Sequence, residues 1–144
     1  MEISLEEALR LGVEAHRAGK VEEADKYYTA ILKVRPDHPD GNHNMGVLAV
    51  GVGKTEESLF FFKNALEVNP NVPQFWISLI DTLIRLGRMG DAENIYEQAK
   101  GRGLKGAPFD QFEAQFSIFK KEATSTKKPL EQNENIQEDQ SKQN

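Results

Sequence analysis

Apolar and small residues recur every three to four positions along most of the chain, and glycine and proline cut the runs at regular intervals. Leu5, Ala8, Leu11, Gly12 and Ala15 share one face of a helix. Ser4, with Glu7 three residues later, forms a capping-box signature at its start. Gly19 suits the left-handed position that closes a helix. A second helix, over about 21–34, places Ala24, Tyr28, Ile31 and Leu32 on one side. Pro36 and Pro39 then end it and begin the next, because proline is accommodated only in a helix's first turn. The same alternation predicts helices near 39–51 and 55–68 around the turn Gly51-Val52-Gly53. A break at Pro70 and Pro73 follows, then helices near 73–86 and 89–101. No segment combines strand alternation with turn chemistry at both ends, so the chain reads as all-α.

The interruptions are periodic. Gly19, Gly53 and Gly87 lie 34 residues apart, and their surroundings repeat with them. Ala24, Ser58 and Ala92 correspond, as do Tyr28, Phe62 and Tyr96. Before the glycines, Leu11 matches Met45 and Leu79, and Ala15 matches Ala49 and Leu83. A fixed period of this length marks one helix pair copied along the chain. Gly12 and Gly46 on the first helices, with Ala24, Ser58 and Ala92 on the second, let two backbones approach closely. Tyr28, Phe62 and Tyr96 are expected to fill the wider gap beyond. One pair cannot bury its apolar faces alone, whereas three stacked pairs form a continuous core.

After glycines 101, 103 and 106, Phe109, Phe112, Phe116 and Phe119 recur at spacings of three, four and three, one stripe of a helix near 108–122. That stripe suits a cap on the last pair. Four phenylalanines exceed what many end caps need, so part of the stripe is also a candidate contact for a partner or a second copy. Residues 124–144 hold only Leu130 and Ile136 as aliphatics among Gln, Asn, Glu and Lys, and such a composition predicts disorder. The expected organisation is a helical domain over 1–123 and a polar tail.

These residues resemble the tetratricopeptide repeat family. The family pattern is similar to Asn42, Met45-Gly46, Ala49, Ser58, Phe62, Ala65 and Pro70, and to Trp76, Leu79, Leu83, Ala92, Tyr96 and Ala99. The third unit departs at Ile80, where the family prefers a small residue, and at Leu104, where it has proline. The first departs at Ala8 and Ile31. These departures suggest looser or altered packing at both ends. The resemblance covers about 5–106, as units 5–38, 39–72 and 73–106. It implies a right-handed superhelical stack of antiparallel helix pairs, about seven helices in all. It also implies a concave groove lined by the first helix of each unit. Carried over by position, that groove presents Glu6, Leu9, Val13, His16 and Arg17, then Asp40, His43, Asn44, Val47 and Val50, then Gln74, Ile77, Asp81, Ile84 and Arg85. Its aliphatics would suit a hydrophobic segment with a few polar anchors, or would pack between neighbouring helices. Family members that grip a chaperone's terminal carboxylate use lysine, asparagine and a further cation at set positions. Leu9, Val13, Val47, Gln74 and Ser78 stand there instead, with no fork of cations to pair a carboxylate. An asparagine ladder of the kind that feeds glycosyltransferases has a single rung, Asn44.

Charge and chemistry narrow the picture further. The 144 residues carry a net charge of −5, which argues against non-specific binding to nucleic acid or anionic membranes. The excess is not confined to the tail, because residues 1–123 hold 15 basic against 19 acidic side chains. There is no cysteine, so thiolate metal sites and disulfides are excluded. The N-terminal residues lack the basic and apolar regions of a signal peptide, and no run is long enough to span a membrane. A cytoplasmic location is expected. Asp37, His38, Asp40 and His43 cluster in sequence, but without the i, i+4 spacing that aims two ligands from one helix face. No metal and no cofactor are expected. Gly51-Val52-Gly53-Lys54-Thr55 echoes a phosphate loop but lacks its first glycine, with Leu48 in that place, and has no preceding strand. Phe60 is unusual, since Lys26 and Asn94 hold its position in the other units. On the outer face it offers a contact for a homo-oligomer.

A non-catalytic adaptor that binds a protein or peptide in the groove is therefore expected. One alternative is an accessory or detached recognition module of a bacterial sulfo-, methyl- or glycosyltransferase system, suggested by the stretch from Ala24 to Lys54. Another is a structural homo-oligomer.

Overall fold

The computed structural model describes residues 2–125. Its helices are α1 (Leu5–Arg17), α2 (Val21–Val34), α3 (Pro39–Gly51), α4 (Thr55–Val68), α5 (Pro73–Arg85), α6 (Met89–Gly101) and α7 (Ala107–Gln143). No strand occurs among the described residues. The chain divides into two compact units, residues 1–104 and 105–144.

In the first unit α1 packs on α2, α3 on α4 and α5 on α6, and the pairs stack through α2 on α3 and α4 on α5. The first helix α3 also meets α1 on one side and α5 on the other, so the three lie side by side along one face. Each pair turns on its register glycine: Gly19, Gly53 and Gly87 have φ of 76°, 86° and 77°. The following amides of Lys20, Lys54 and Arg88 reach back to Ala15, Ala49 and Leu83 at 2.8, 2.8 and 2.9 Å. These bonds satisfy carbonyls that a helix end leaves open. Pro39 and Pro73 open α3 and α5 from the first position, where no amide hydrogen is needed. At α1 the Ser4 hydroxyl accepts from the Glu7 amide as the capping box requires, while the Glu7 carboxylate is taken by Arg10.

Ala24, Ser58 and Ala92 are fully buried at the contact between paired helices. The aromatics do not sit beyond that contact, as the sequence suggests, but directly on it. A Cβ added to Gly46 would fall 2.5 Å from the Phe62 ring, and one on Gly12 would fall 2.5 Å from Tyr28. In the third pair Ile80 takes the glycine position, fully buried, and the backbones of α5 and α6 approach at fewer points than those of the first two pairs. The expected looser packing at Ile80 has this physical form: a branched side chain spaces the backbones that glycine lets close.

Two buried side chains tie the pairs to the loops before them. The Asn42 amide donates to the carbonyls of Pro36 and His38, both at 2.9 Å. Trp76, one register on, donates its indole N–H to the Pro70 carbonyl at 2.8 Å. Ala8 holds the same position in the first pair, where an alkyl group has nothing to donate.

In the second unit, α7 begins one residue before the expected start and includes Thr124 and Ser125. Phe109, Phe112 and Phe116 are buried, with the first two rings edge-on at 6.3 Å, while Phe119 is exposed. The tail expected to be disordered lies, from residue 126 on, outside the described residues.

Candidate partner-binding groove

The side-by-side first helices bring six of the expected groove residues into one cleft of 410 Å³. His16 comes from α1, Val47 and Val50 from α3, and Gln74, Asp81 and Arg85 from α5. Gly51, Phe62, Ser78 and Thr82 complete its lining. Val47 and Val50 supply apolar floor; Gln74, Ser78 and the Asp81–Arg85 pair supply polar edges. That pair closes at 2.9 Å one helical turn apart, so Arg85 reaches the cleft already paired with a carboxylate.

The other groove candidates lie outside this cleft's lining. Val13, Asn44, Ile77 and Ile84 are half-buried on the same helices, and Glu6, Arg17 and Asp40 are exposed. Leu9 is half-buried and packs partly against the core around Tyr28. The face is thus less apolar to solvent than its residue types suggest; Val47 is its one exposed large aliphatic among the described residues.

His43 organises the polar part. Its Nε2 lies 2.7 Å from the Ser78 Oγ and its Nδ1 lies 3.4 Å from the Asn44 Oδ1. Its ring sits 5.4 Å from Phe62 and 5.1 Å from Phe75. Gln74 donates to the same Ser78 oxygen at 3.2 Å. One arrangement of hydrogens satisfies every contact: Gln74 donates to Ser78, Ser78 donates to Nε2, and Nδ1–H faces Asn44. Burial pushes the His43 pKa below its ordinary 6.5, against the opposing pull of Asn44 and Asp40, so the ring is neutral at pH 7. The Ser78 partnership escaped the sequence reading, because it joins residues 35 apart on separate helices. An indirect signal existed: Asn44 lies one register before Ser78, which sets its neighbour His43 near that place.

A serine at 2.7 Å from a neutral histidine resembles a nucleophile with its base. Acyl transfer also needs donors aimed at a developing oxyanion. Here Ser78 sits inside α5 and His43 inside α3, where backbone N–H groups are spent on the helices themselves. The arrangement is suited to fixing helix positions and offering polar contacts.

His38, flagged in sequence beside Asp37 and Asp40, is the cap of α3: its Nδ1 accepts from the Gly41 amide at 2.9 Å. Among the described residues no group of three or more His, Cys, Asp or Glu side chains is placed to hold a metal ion. No helix among them is long and apolar enough to cross a membrane. Phe60 is 64% exposed on α4 and meets Phe61 edge-on at 5.5 Å.

Helix pairs repeating every 34 residues, turned on glycine and opened on proline, with first helices aligned along one face, define a tetratricopeptide solenoid. The tetratricopeptide repeat model matches residues 5–38 and 39–72, so these two helix pairs are tetratricopeptide repeats. The pair over 73–106 lies outside that match but keeps the turn glycine, the opening proline and the indole tie. No curated protein matches the chain in sequence. Among solved structures it is similar to the tetratricopeptide domain of Sgt2 from Aspergillus fumigatus, at 19% identity and a TM-score of 0.72, covering 84% of this chain and 82% of that one. It is similar to the type III secretion translocator chaperone SycD of Yersinia enterocolitica, at 18% identity, a TM-score of 0.67 and 88% and 90% coverage. The TPR2B domain of yeast Sti1, solved as a complex with pHsp70, matches at 22% identity and a TM-score of 0.70, over 79% of this chain and 96% of that one. At these identities the likeness is one of fold.

Proposed function

We propose that the chain is a non-catalytic adaptor that holds a peptide or a partner's segment against α1, α3 and α5. The observation that carries this reading is the 410 Å³ cleft, in which Val47 and Val50 lie beside Gln74, Ser78 and Arg85. An apolar floor with a few convergent polar groups suits an apolar side chain followed by a backbone or polar anchor. The Sti1 domain of the same fold was solved with a bound partner, which supports this use of the fold. The segment recognised here is internal rather than a chain terminus. The positions that would grip a carboxylate hold Leu9, Val13, Val47, Gln74 and Ser78, and Arg85 is already paired with Asp81.

Affinity capture tests the reading by comparing wild type with Val47→Glu plus Ile84→Glu. A carboxylate at Val47 stands in the cleft's floor and one at Ile84 on the neighbouring helix of the same face. Both are costly to cover with an apolar segment, so partners held in the groove are lost from the variant. Recovery of the same partners at the same level by both proteins excludes the groove.

A further inference from the structure

The 34-residue register allows the seam between the first and second pairs to be compared, position by position, with the seam between the second and third. In the second seam Leu59 and Leu83 are buried, and Arg88 Nη2 reaches Glu56 Oε1 at 2.6 Å, joining α4 to the start of α6. In the first seam the same four positions hold Asp25, Ala49, Lys54 and Glu22. No ion pair joins Lys54 to Glu22 among the described residues.

Loss of both leucines leaves a trough of 530 Å³ between α2, α3 and α4. Met45, Leu48 and Ala49 form its floor and Val21, Val52 and Phe61 its walls. Val21 and Val52 are 38% and 47% exposed, so the apolar lining meets solvent. Glu22, Asp25 and Glu57 bring three carboxylates to the trough against the single ammonium of Lys54. It shares no lining residue with the concave cleft.

Two properties select the occupant. Apolar walls open to water are stabilised by apolar side chains that exclude that water. Three acidic groups against one basic group favour a partner of opposite charge, by steering and by fixing register. We infer that this trough is a docking site for a positively charged amphipathic segment of a partner protein. The apolar side chains enter between Val21, Val52 and Phe61, and the lysine or arginine side chains meet Glu22, Asp25 and Glu57.

Calorimetric titration of the full chain tests this with a synthetic helical peptide bearing leucine on one face and lysine on the other. Wild type binds it, with affinity falling as salt rises. Ala49→Leu, which installs the residue of the second seam, fills the trough without altering charge and weakens binding about tenfold or more. Glu22→Gln plus Glu57→Gln, both at exposed positions, weakens it and flattens the salt dependence. This second variant leaves the core untouched, so it answers even where Ala49→Leu impairs folding. Val47→Glu plus Ile84→Glu binds the peptide as wild type does; a loss of binding there places the peptide in the concave groove and overturns the inference. The inference is overturned if wild type does not bind the peptide, if a leucine–glutamate peptide binds equally well, or if the charge-neutral variant binds as tightly as wild type.

Discussion

Where α2 meets α3, Ile31 leans over Gly41, and a Cβ on that glycine would stand 2.9 Å from Ile31 Cγ2. Where α4 meets α5, the same two positions hold Ala65 and Phe75, both buried. One seam places its bulk on the second helix of the earlier pair; the other places it on the first helix of the later pair. The register fixes which positions face each other, while the volume they fill is shared between them. Each seam therefore tolerates a departure from the repeat pattern if its partner compensates. The same seams differ at their outer edge, where Leu59, Leu83 and an ion pair close one, and Asp25 and Ala49 leave the other open. The same register thus opens a recess beside Asp25 and Ala49 at the first seam, while at the second the leucines fill that place and a cleft of 390 Å³ lies instead beside Lys63, Leu79 and Ile95.

The loop ties offer the largest separation between the seams. Trp76→Ala removes a buried ring, its bond to Pro70 and the Arg102 guanidinium stacked 5.9 Å away, and costs about 3–5 kcal/mol. Asn42→Ala at the equivalent place loses the two bonds it donates, the one its Oδ1 accepts from Asn64 at 3.4 Å and little apolar volume, and costs about 1–3 kcal/mol. Urea unfolding of both variants checks the order, and equal costs would break the comparison.

His43 gives a pH signature of the second seam alone, since it touches Ser78 and Phe75 across it. Its folded pKa lies below the ordinary 6.5, so between those values the unfolded chain binds more protons than the folded one. The stability tied to the neutral ring is present above about 6.5 and is lost as pH falls towards and through the depressed value. His43→Gln should flatten that part of the stability–pH profile. An unchanged slope would show that the ring's burial does not matter to folding.

Arg88 marks the smallest difference. Its pair with Glu56 is exposed on both sides, so Arg88→Ala costs at most about 1 kcal/mol and less in salt. Lys54→Ala at the first seam should leave thermal stability unchanged.

Much of this architecture was legible in the chain. Gly19, Gly53 and Gly87 fixed the turns, Pro39 and Pro73 the helix starts, and the carried-over register placed Val47, Gln74 and Arg85 on one face. Spacing alone did not show that Tyr28 and Phe62 rest on Gly12 and Gly46, because ring placement depends on how helices cross. Nor did it show the His43–Ser78 contact or the Ile31–Gly41 compensation, which join residues on different helices through packing. How far Leu9 is covered depends on the same packing, because position on a helix face does not say how closely the next helix lies.

A double-mutant cycle at Ile31 and Gly41 tests the shared-volume account most directly. Ile31→Ala alone leaves a cavity costing about 2–5 kcal/mol, and Gly41→Phe alone overpacks the seam against Ile31. Combined, they recreate the Ala65–Phe75 arrangement of the second seam. The double variant should then be more stable than the sum of the single losses predicts, by about 1 kcal/mol or more. Additive losses would contradict the account and make each position independent of the other.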